Sequence, residues 1–425
     1  MREFARKSTG RTQVDQLELL HAGKTVTPAP IQHVPVSRLD PYAEDVLTDP
    51  YDHYAELRRL GAVVWLDRYA VYALPCYREV KDVLGDHATF CSSAGAGLSN
   101  FHREKPWRHP SILLEVDPPE HDRTRQQMVR VLNPASVRAL RPQFEQVAEE
   151  MVRRFAECDE CEGVAELAAA YPTKVFGDAV GLRPDGREAL LPYGDMVFNG
   201  FGPVNDRFRK SLAEAAHVPA WIEDACKRQS LAPGGFGSRL YEGVDRGEIT
   251  EEEAALLVRS LLSAGLDTTV FTLSNALVNF ARHPEQWTKL KNDPSLARNA
   301  VEEVLRYDGT FHTFYRTTTR PVEIAGVRME TSQKLLVMTA SANRDAAMWE
   351  RPDEFDIGRR TTGQMGFGFG IHACVGQMLA RLELEIILNA MARMVDSFEL
   401  TAEPTLHFNN TVRGYKRIPL RVKAR

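Results

Sequence analysis

From Thr250 to about His283 the chain keeps a helical apolar period with no internal proline, and Pro284 then stops it. Thr250 and Glu253 form a capping-box pattern at its start. Roughly 33 residues at about 1.5 Å each make a rod of about 50 Å. A helix of that length crosses a whole domain, so the rest of the chain must pack around it. Its middle reads Ala264-Gly265-Leu266-Asp267-Thr268-Thr269. Glycine and paired threonines are poor helix formers, and threonine hydroxyls bond back to carbonyls one turn earlier and bend the rod. Gly265 then marks either a close helix–helix contact or a local opening that admits a small ligand and water.

The other bounds are broad. At 425 residues, 43% hydrophobic and 26% charged, the chain has ample material for one large domain. A net charge of −5 gives no basis for nucleic-acid binding. The start, Met1-Arg2-Glu3-Phe4-Ala5-Arg6-Lys7, lacks an apolar signal region, and no run of 18 apolar residues follows, so a soluble cytoplasmic protein is expected. Six scattered cysteines do not resemble a disulfide framework. Cys158 and Cys161 make a CxxC with no second metal-type motif, read as two reduced thiols on a helix turn rather than as a zinc or redox pair. Residues 1–40 are expected to be an irregular arm and 41–425 the domain. Val63–Leu66 and Val71–Leu74 predict a β-hairpin. Further strands are expected at Val322–Ile324, Leu335–Met338 and Arg417–Val422. Most of the remainder has helical period, so the fold class is mainly α with small β-sheets at one side.

Near the C-terminus stands Phe367-Gly368-Phe369-Gly370-Ile371-His372-Ala373-Cys374-Val375-Gly376, followed by a helical run from Met378. The glycines let backbone approach a flat ligand. The helix start supplies N–H groups and positive dipole charge to a thiolate at Cys374. Such a thiolate can ligate haem iron and favour O–O cleavage. A buried free cysteine in a glycine-rich turn is the plain alternative. As a whole the pattern resembles the haem-binding signature of the cytochromes P-450.

That resemblance implies the P-450 fold, haem b as cofactor with Cys374 as metal ligand, and Phe367 and Gly368 against the haem. It implies Asp267 and Thr268 as the acid–alcohol pair that relays protons to dioxygen. His121 and Arg125, four apart on one helix face, would hold the propionates together with Arg316 and His372. Gln364 departs from the family by standing where a propionate-binding histidine is often found. Glu303 and Arg306, in isolation an ordinary i,i+3 pair, would join Arg359 as scaffolding. O2 is the implied co-substrate. Electrons would come from NAD(P)H through a reductase and a two-iron, two-sulfur ferredoxin, because the chain has no cysteine spacing of the iron–sulfur kind. A monomer is expected.

The long helix also bears on the substrate. Ser260, Ser263, Ala264, Asp267 and Thr268 fall on one face. Ser263 and Ser260 lie about 7.5 and 12 Å along the helix from Thr268. A para-substituted benzoate has about that length, although such serines commonly bond their own helix carbonyls instead. Phe198 and Phe201 lie three apart and Phe314 precedes Arg316. With the stretch from Phe90 to the C-terminus, these features resemble bacterial P-450s that O-demethylate para-methoxybenzoate. The likeness implies Arg108, Ser111, Ser260 and Ser263 at the carboxylate, Arg259 setting local charge, and Leu114, Phe198, Phe201 and Phe314 around the ring. Ala94 and His312 depart from that group and would retune the ring pattern. The alternatives are a neutral methoxy-aromatic of guaiacol type, an alkylbenzoate, or a haem sensor or carrier without turnover.

Overall fold

The structure, a computed structural model, describes residues 34–425. The six helices that position the site are α1 (Glu120–Val131), α2 (Leu190–Asn199), α3 (Glu251–Ala264), α4 (Asp267–Arg282), α5 (Ala297–Tyr307) and α6 (Gln377–Met394). The long central rod is present but broken: α3 ends at Ala264 and α4 begins at Asp267. Both halves of the capping box form, with Thr250 Oγ1 accepting from Glu253 N–H and the Glu253 carboxylate accepting from Thr250 N–H. A Cβ at Gly265 would come within 2.4 Å of the Phe176 ring, so the glycine marks a close packing contact. Thr268 Oγ1 donates to Ala264 O at 3.0 Å across the break, and Thr272 Oγ1 donates to Thr268 O at 2.7 Å within α4. Gly265 thus makes the close contact, and the helix is interrupted beside it.

Every residue of α4 from Thr269 through Phe280 is buried. The span Glu251–Arg282 is long and apolar enough to cross a membrane by length and composition. Here it is the core element, surrounded by the helices on either side.

The main sheet has six strands, β1 (Val36–Ser37), β2 (Val64–Leu66), β3 (Val71–Leu74), β4 (Phe90–Cys91), β5 (Phe314–Thr318) and β6 (Lys334–Val337), in the order β1-β2-β3-β6-β5-β4. The expected hairpin is β2–β3, with Trp65 opposite Tyr72. Within the segment expected to be irregular, Val36–Ser37 pairs in parallel with β2; residues 1–33 of that arm lie outside the described residues. β5 pairs antiparallel with β6, placing Phe314 opposite Val337 and Arg316 opposite Leu335.

Two expectations change. The strand expected over Arg417–Val422 is two strands, Arg413–Arg417 and Pro419–Ala424, which join different sheets on either side of Ile418. Cys158 and Cys161 do not share a helix turn, because the Arg141–Ala156 helix ends first and Cys161 sits in the strand Glu160–Glu162. Both cysteines are unbridged. The Glu303–Arg306 pair on α5 is fully buried and joins Arg359, the arrangement the resemblance implies. Arg306 Nε and Nη2 donate to the two Glu303 oxygens at 2.7 and 2.8 Å, and Arg359 Nε reaches Glu303 at 3.3 Å.

Candidate active site

The segment before α6 folds back so that Cys374 N–H donates to Phe367 O at 2.9 Å. This sets Cys374 on the wall of a cavity under the α3–α4 break. Cys374 is exposed and lines that cavity, and the protein packed around it pushes its thiol up. The N–H groups of Gly376 and Gln377 at the start of α6, with Arg125 and Arg381, oppose that rise. Gly368 has φ +70° and a Cβ there would meet no atom within 4 Å, because it faces open cavity. At Gly368 the loop thus offers open floor to a flat group beside one sulfur.

Cationic donors gather at one edge of this floor. Arg316 is buried, and its one side-chain bond among the described residues goes to Tyr315 O at 2.8 Å. Burial pushes its guanidinium down to about 10. Arg125 Nη2 donates to Ala373 O at 2.6 Å. The His372 and His121 rings pack edge to face at 4.5 Å, and the Nε2 of each is buried without a partner. Burial, with Arg316 and His121 alongside, pushes His372 down to about 3, so it is neutral. Buried donors without acceptors are rare in folded proteins. A flat group with a metal at its centre and carboxylates at its edge fits this floor, the sulfur and these donors together. His121 stands behind His372 rather than on the cavity wall.

Opposite Cys374, Thr268 lines the cavity while Asp267 lies behind it. Asp267 packs on α2 so tightly that a Cβ at Gly194 would fall 2.2 Å from its Oδ2, which is buried and unpartnered. Burial and the nearby Asp195 raise the Asp267 carboxyl well above its ordinary 3.8.

The cavity encloses about 1830 Å³ including its opening. Leu114, Phe198, Phe201 and Phe314 all line it, as do Arg108, Ser111, Arg259, Ser260 and Ser263. The aromatic wall is continuous: Phe311 stacks on Phe314 at 4.6 Å and meets Phe198 edge-on at 5.2 Å. At the polar end, Arg108 makes a two-pronged pair with the fully buried Glu115 at 2.8 and 3.1 Å, and Ser111 N–H donates to the same carboxylate at 2.8 Å. Arg259 Nη2 reaches the carbonyls of His109 and Pro110 at 3.1 and 3.3 Å. Arg108 and Glu115 cancel, so Arg259 leaves this end one net positive charge. Ser260 and Ser263 donate to Leu256 O and Ser260 O. Ser111 Oγ instead accepts from the N–H groups of Leu113 and Leu114, which leaves its own proton to donate.

The family model "Cytochrome P450" matches residues 236–414. Cytochrome p450 CYP199A2 of Rhodopseudomonas palustris is 48% identical over 92% of this chain and 96% of its own. This chain is a cytochrome P450. An erythromycin C-12 hydroxylase of Saccharopolyspora erythraea is 31% identical over 84% of this chain and 90% of its own. Among solved structures, CYP109Q5 from Chondromyces apiculatus aligns with a TM-score of 0.76 at 30% identity, covering 91% of this chain and 98% of that one. Cytochrome P450 CREJ in complex with (4-ethylphenyl) dihydrogen phosphate aligns at 0.81 and 28%, covering 90% and 99%.

As a P450 the protein is a monooxygenase that binds haem and takes electrons from redox partners. The haem, when bound, supplies the activation of O2 and the transfer of one oxygen atom. Cys374 is the residue that would ligate its iron, and Arg125, Arg316 and His372 are the donors that would hold its carboxylates. Asp267 lies behind the wall with its carboxyl raised, and Thr268 lines the cavity with its hydroxyl bonded to Ala264 O. Gln364 does not join the carboxylate donors: its Nε2 donates to Glu302 at 2.9 Å, which turns it toward Arg381 and away from the cavity. His312 does not face the substrate cavity either. It bonds Tyr54 OH at 3.0 Å, and Phe311 takes the wall position next to it. Ala94 is buried outside the cavity lining. Sequence reasoning missed Glu115, Phe311 and Tyr193. Tyr193 sits one and two turns before Val197 and Phe201, so the spacing 193-197-201 carries the signal for a shared face.

Proposed function

We propose that this P450 O-demethylates para-methoxybenzoate-type acids. One oxygen atom of O2 enters a methyl C–H bond and the other leaves as water, with two electrons and two protons consumed. The resulting hemiacetal loses formaldehyde to give the phenol. The observation that carries this reading is the single net positive charge of Arg259 at the far end of an aromatic slot, beside the donor hydroxyl of Ser111. A carboxylate held there would point its para substituent back toward Thr268 and Cys374. A polar end built to pair with a carboxylate rejects ligands that cannot pair with it. The P450 CREJ complex supports the class, since its ligand is a para-alkylated ring with an anionic head. The Asp267–Thr268 pair favours turnover over simple haem carriage, because a carrier needs no proton donor. Electrons come from a separate two-iron, two-sulfur ferredoxin and its NAD(P)H-dependent reductase, and the enzyme works as a cytoplasmic monomer.

Titrating the ferric protein with 4-methoxybenzoate and 4-methoxybenzamide tests the assignment. Near-complete conversion to the high-spin spectrum with the acid alone is expected. A matching shift with the amide or with guaiacol overturns the acid and leaves a neutral methoxy-aromatic as the substrate.

A further inference from the structure

Lys334, the first residue of β6, is buried, although lysine is among the residues least often found inside. It has no carboxylate partner among the described residues. Its ammonium instead donates to three main-chain carbonyls of one loop, Ala94 O at 3.1 Å, Gly95 O at 2.8 Å and Gly97 O at 2.8 Å. Three protons meet three acceptors, so the group is satisfied. Burial pushes the ammonium down to about 7, while the three carbonyl oxygens favour the protonated form. The other groups around it are Cys91 on β4, Arg316 on β5, the Tyr315 ring at 5.8 Å, and Glu104 and Glu115.

Three carbonyl dipoles pointing at one spot repel one another unless a cation stands between them. The loop they belong to is also a wall support. Leu98 N–H donates to Phe201 O at 2.8 Å, Tyr315 N–H donates to Ala96 O at 3.0 Å, and Phe101 N–H donates to Ala94 O at 3.0 Å. A Cβ at Gly97 would lie 2.7 Å from Phe201 O, so the loop presses directly on the Phe201 backbone. Phe201 and Phe314, the neighbour of Tyr315, are both in the aromatic wall. A methionine would fill the same volume without the desolvation of a charge, so packing alone does not account for the lysine.

We propose that the Lys334 ammonium is a tethered cation that gathers the Ala94–Gly97 carbonyls and thereby fixes Phe201 against the substrate ring. Lys334 is in this sense a positioning residue for substrate selection. The inference about the ring rests on the substrate class proposed above; the loop's dependence on the cation does not.

Amide hydrogen exchange and ligand titration test the two parts separately. In Lys334→Met the amides of Leu98 and Phe101 should exchange faster while the amides of α4 do not, and 4-methoxybenzoate should bind about tenfold more weakly. Lys334→Ala should show the same defects, partly reversed by propylammonium but not by the bulkier choline. If the methionine variant does not accumulate, Lys334→Gln, which can donate two hydrogen bonds without charge, should fold with a smaller loss and no amine rescue. Exchange at Leu98 and Phe101 equal to wild type, a rise spread evenly over the protein, or equal recovery with choline each overturns the tethered cation. Local loosening with unchanged 4-methoxybenzoate affinity overturns the role in substrate selection. If the wild type itself does not bind that acid, the substrate class fails and the exchange result still decides the role of the lysine.

Discussion

Replacing Arg259 with methionine takes the polar end of the cavity from one net positive charge to none, because Arg108 and Glu115 already cancel. A unit charge about 5 Å from a bound carboxylate, at an effective dielectric of about 20, contributes about 3 kcal/mol. That corresponds to a loss of about a hundredfold in Kd for 4-methoxybenzoate. The neutral amide should change by less than about threefold, since the methionine still fills the half-buried site. Folding stability should fall by only about 1 kcal/mol, the worth of the lost bonds to His109 and Pro110 O. Arg108→Met behaves differently. It strands Glu115, buried and without its counter-charge, and should cost about 3–5 kcal/mol of stability. The double variant Arg108→Met/Glu115→Gln removes both charges and keeps Arg259, so its acid affinity should stay near wild type. Spectral titration of the four proteins with acid and amide, alongside thermal melts, checks the set. Equal losses for acid and amide in Arg259→Met, or a double variant as weak as Arg259→Met, would refute the charge argument.

Asp267→Asn should leave haem and substrate binding intact but raise the oxygen and NAD(P)H consumed per product, read by product yield against NAD(P)H oxidised. The same variant has a stability signature. A carboxyl raised above its ordinary 3.8 lends stability that is complete below that value and is lost as pH climbs through the raised pKa. The melting temperature of Asp267→Asn should therefore gain on wild type from pH 4 to pH 7; a constant difference would count against the raised carboxyl. Gly368→Ala puts a side chain at φ +70° and into the cavity floor, so the purified protein should carry less haem per chain, measured as Soret over protein absorbance. Glu303→Gln leaves Arg306 and Arg359 without a counter-charge and should lower stability by about 3–5 kcal/mol, measured by denaturant melts.

Local signals carried well from sequence to structure. The Thr250–Glu253 cap, the β2–β3 hairpin and the Cys374 turn each depend on residues within a few positions of one another, and each formed as its pattern predicts. What sequence could not show depends on distant partners. Phe314–Thr318 is rich in aromatic and β-branched residues that favour a strand, but its pairing with β6 and β4 follows from distant partners. Glu115 looks like any acidic residue before a proline pair, and its role appears only when Arg108 folds onto it. Charged residues around Cys158 and Cys161 favour a helix turn there by sequence alone. Pairing of Cys161 with Leu420 prevails over that local preference. In the cavity, the aromatic residues were legible one by one, but the stacking of Phe311 on Phe314, and the turning of His312 toward Tyr54, follow from tertiary packing.

The aromatic wall has a second mooring. Asn410 Nδ2 donates to Asn199 O at 2.9 Å, Asn199 Oδ1 accepts from Asn410 N–H at 3.0 Å, and Thr411 Oγ1 donates to Phe198 O at 2.8 Å. Asn409 Nδ2 adds a bond to Asp195 at 2.8 Å. The end of α2 is thus laced to a turn more than 200 residues later in the chain. Substrate preference in this P450 is for that reason not a property of one segment that can be cut out and moved. A chimera that exchanges the 190–202 region alone would carry its phenylalanines but not the turn that aims them. One that exchanges residues 409–411 as well would inherit the grip with its fastening.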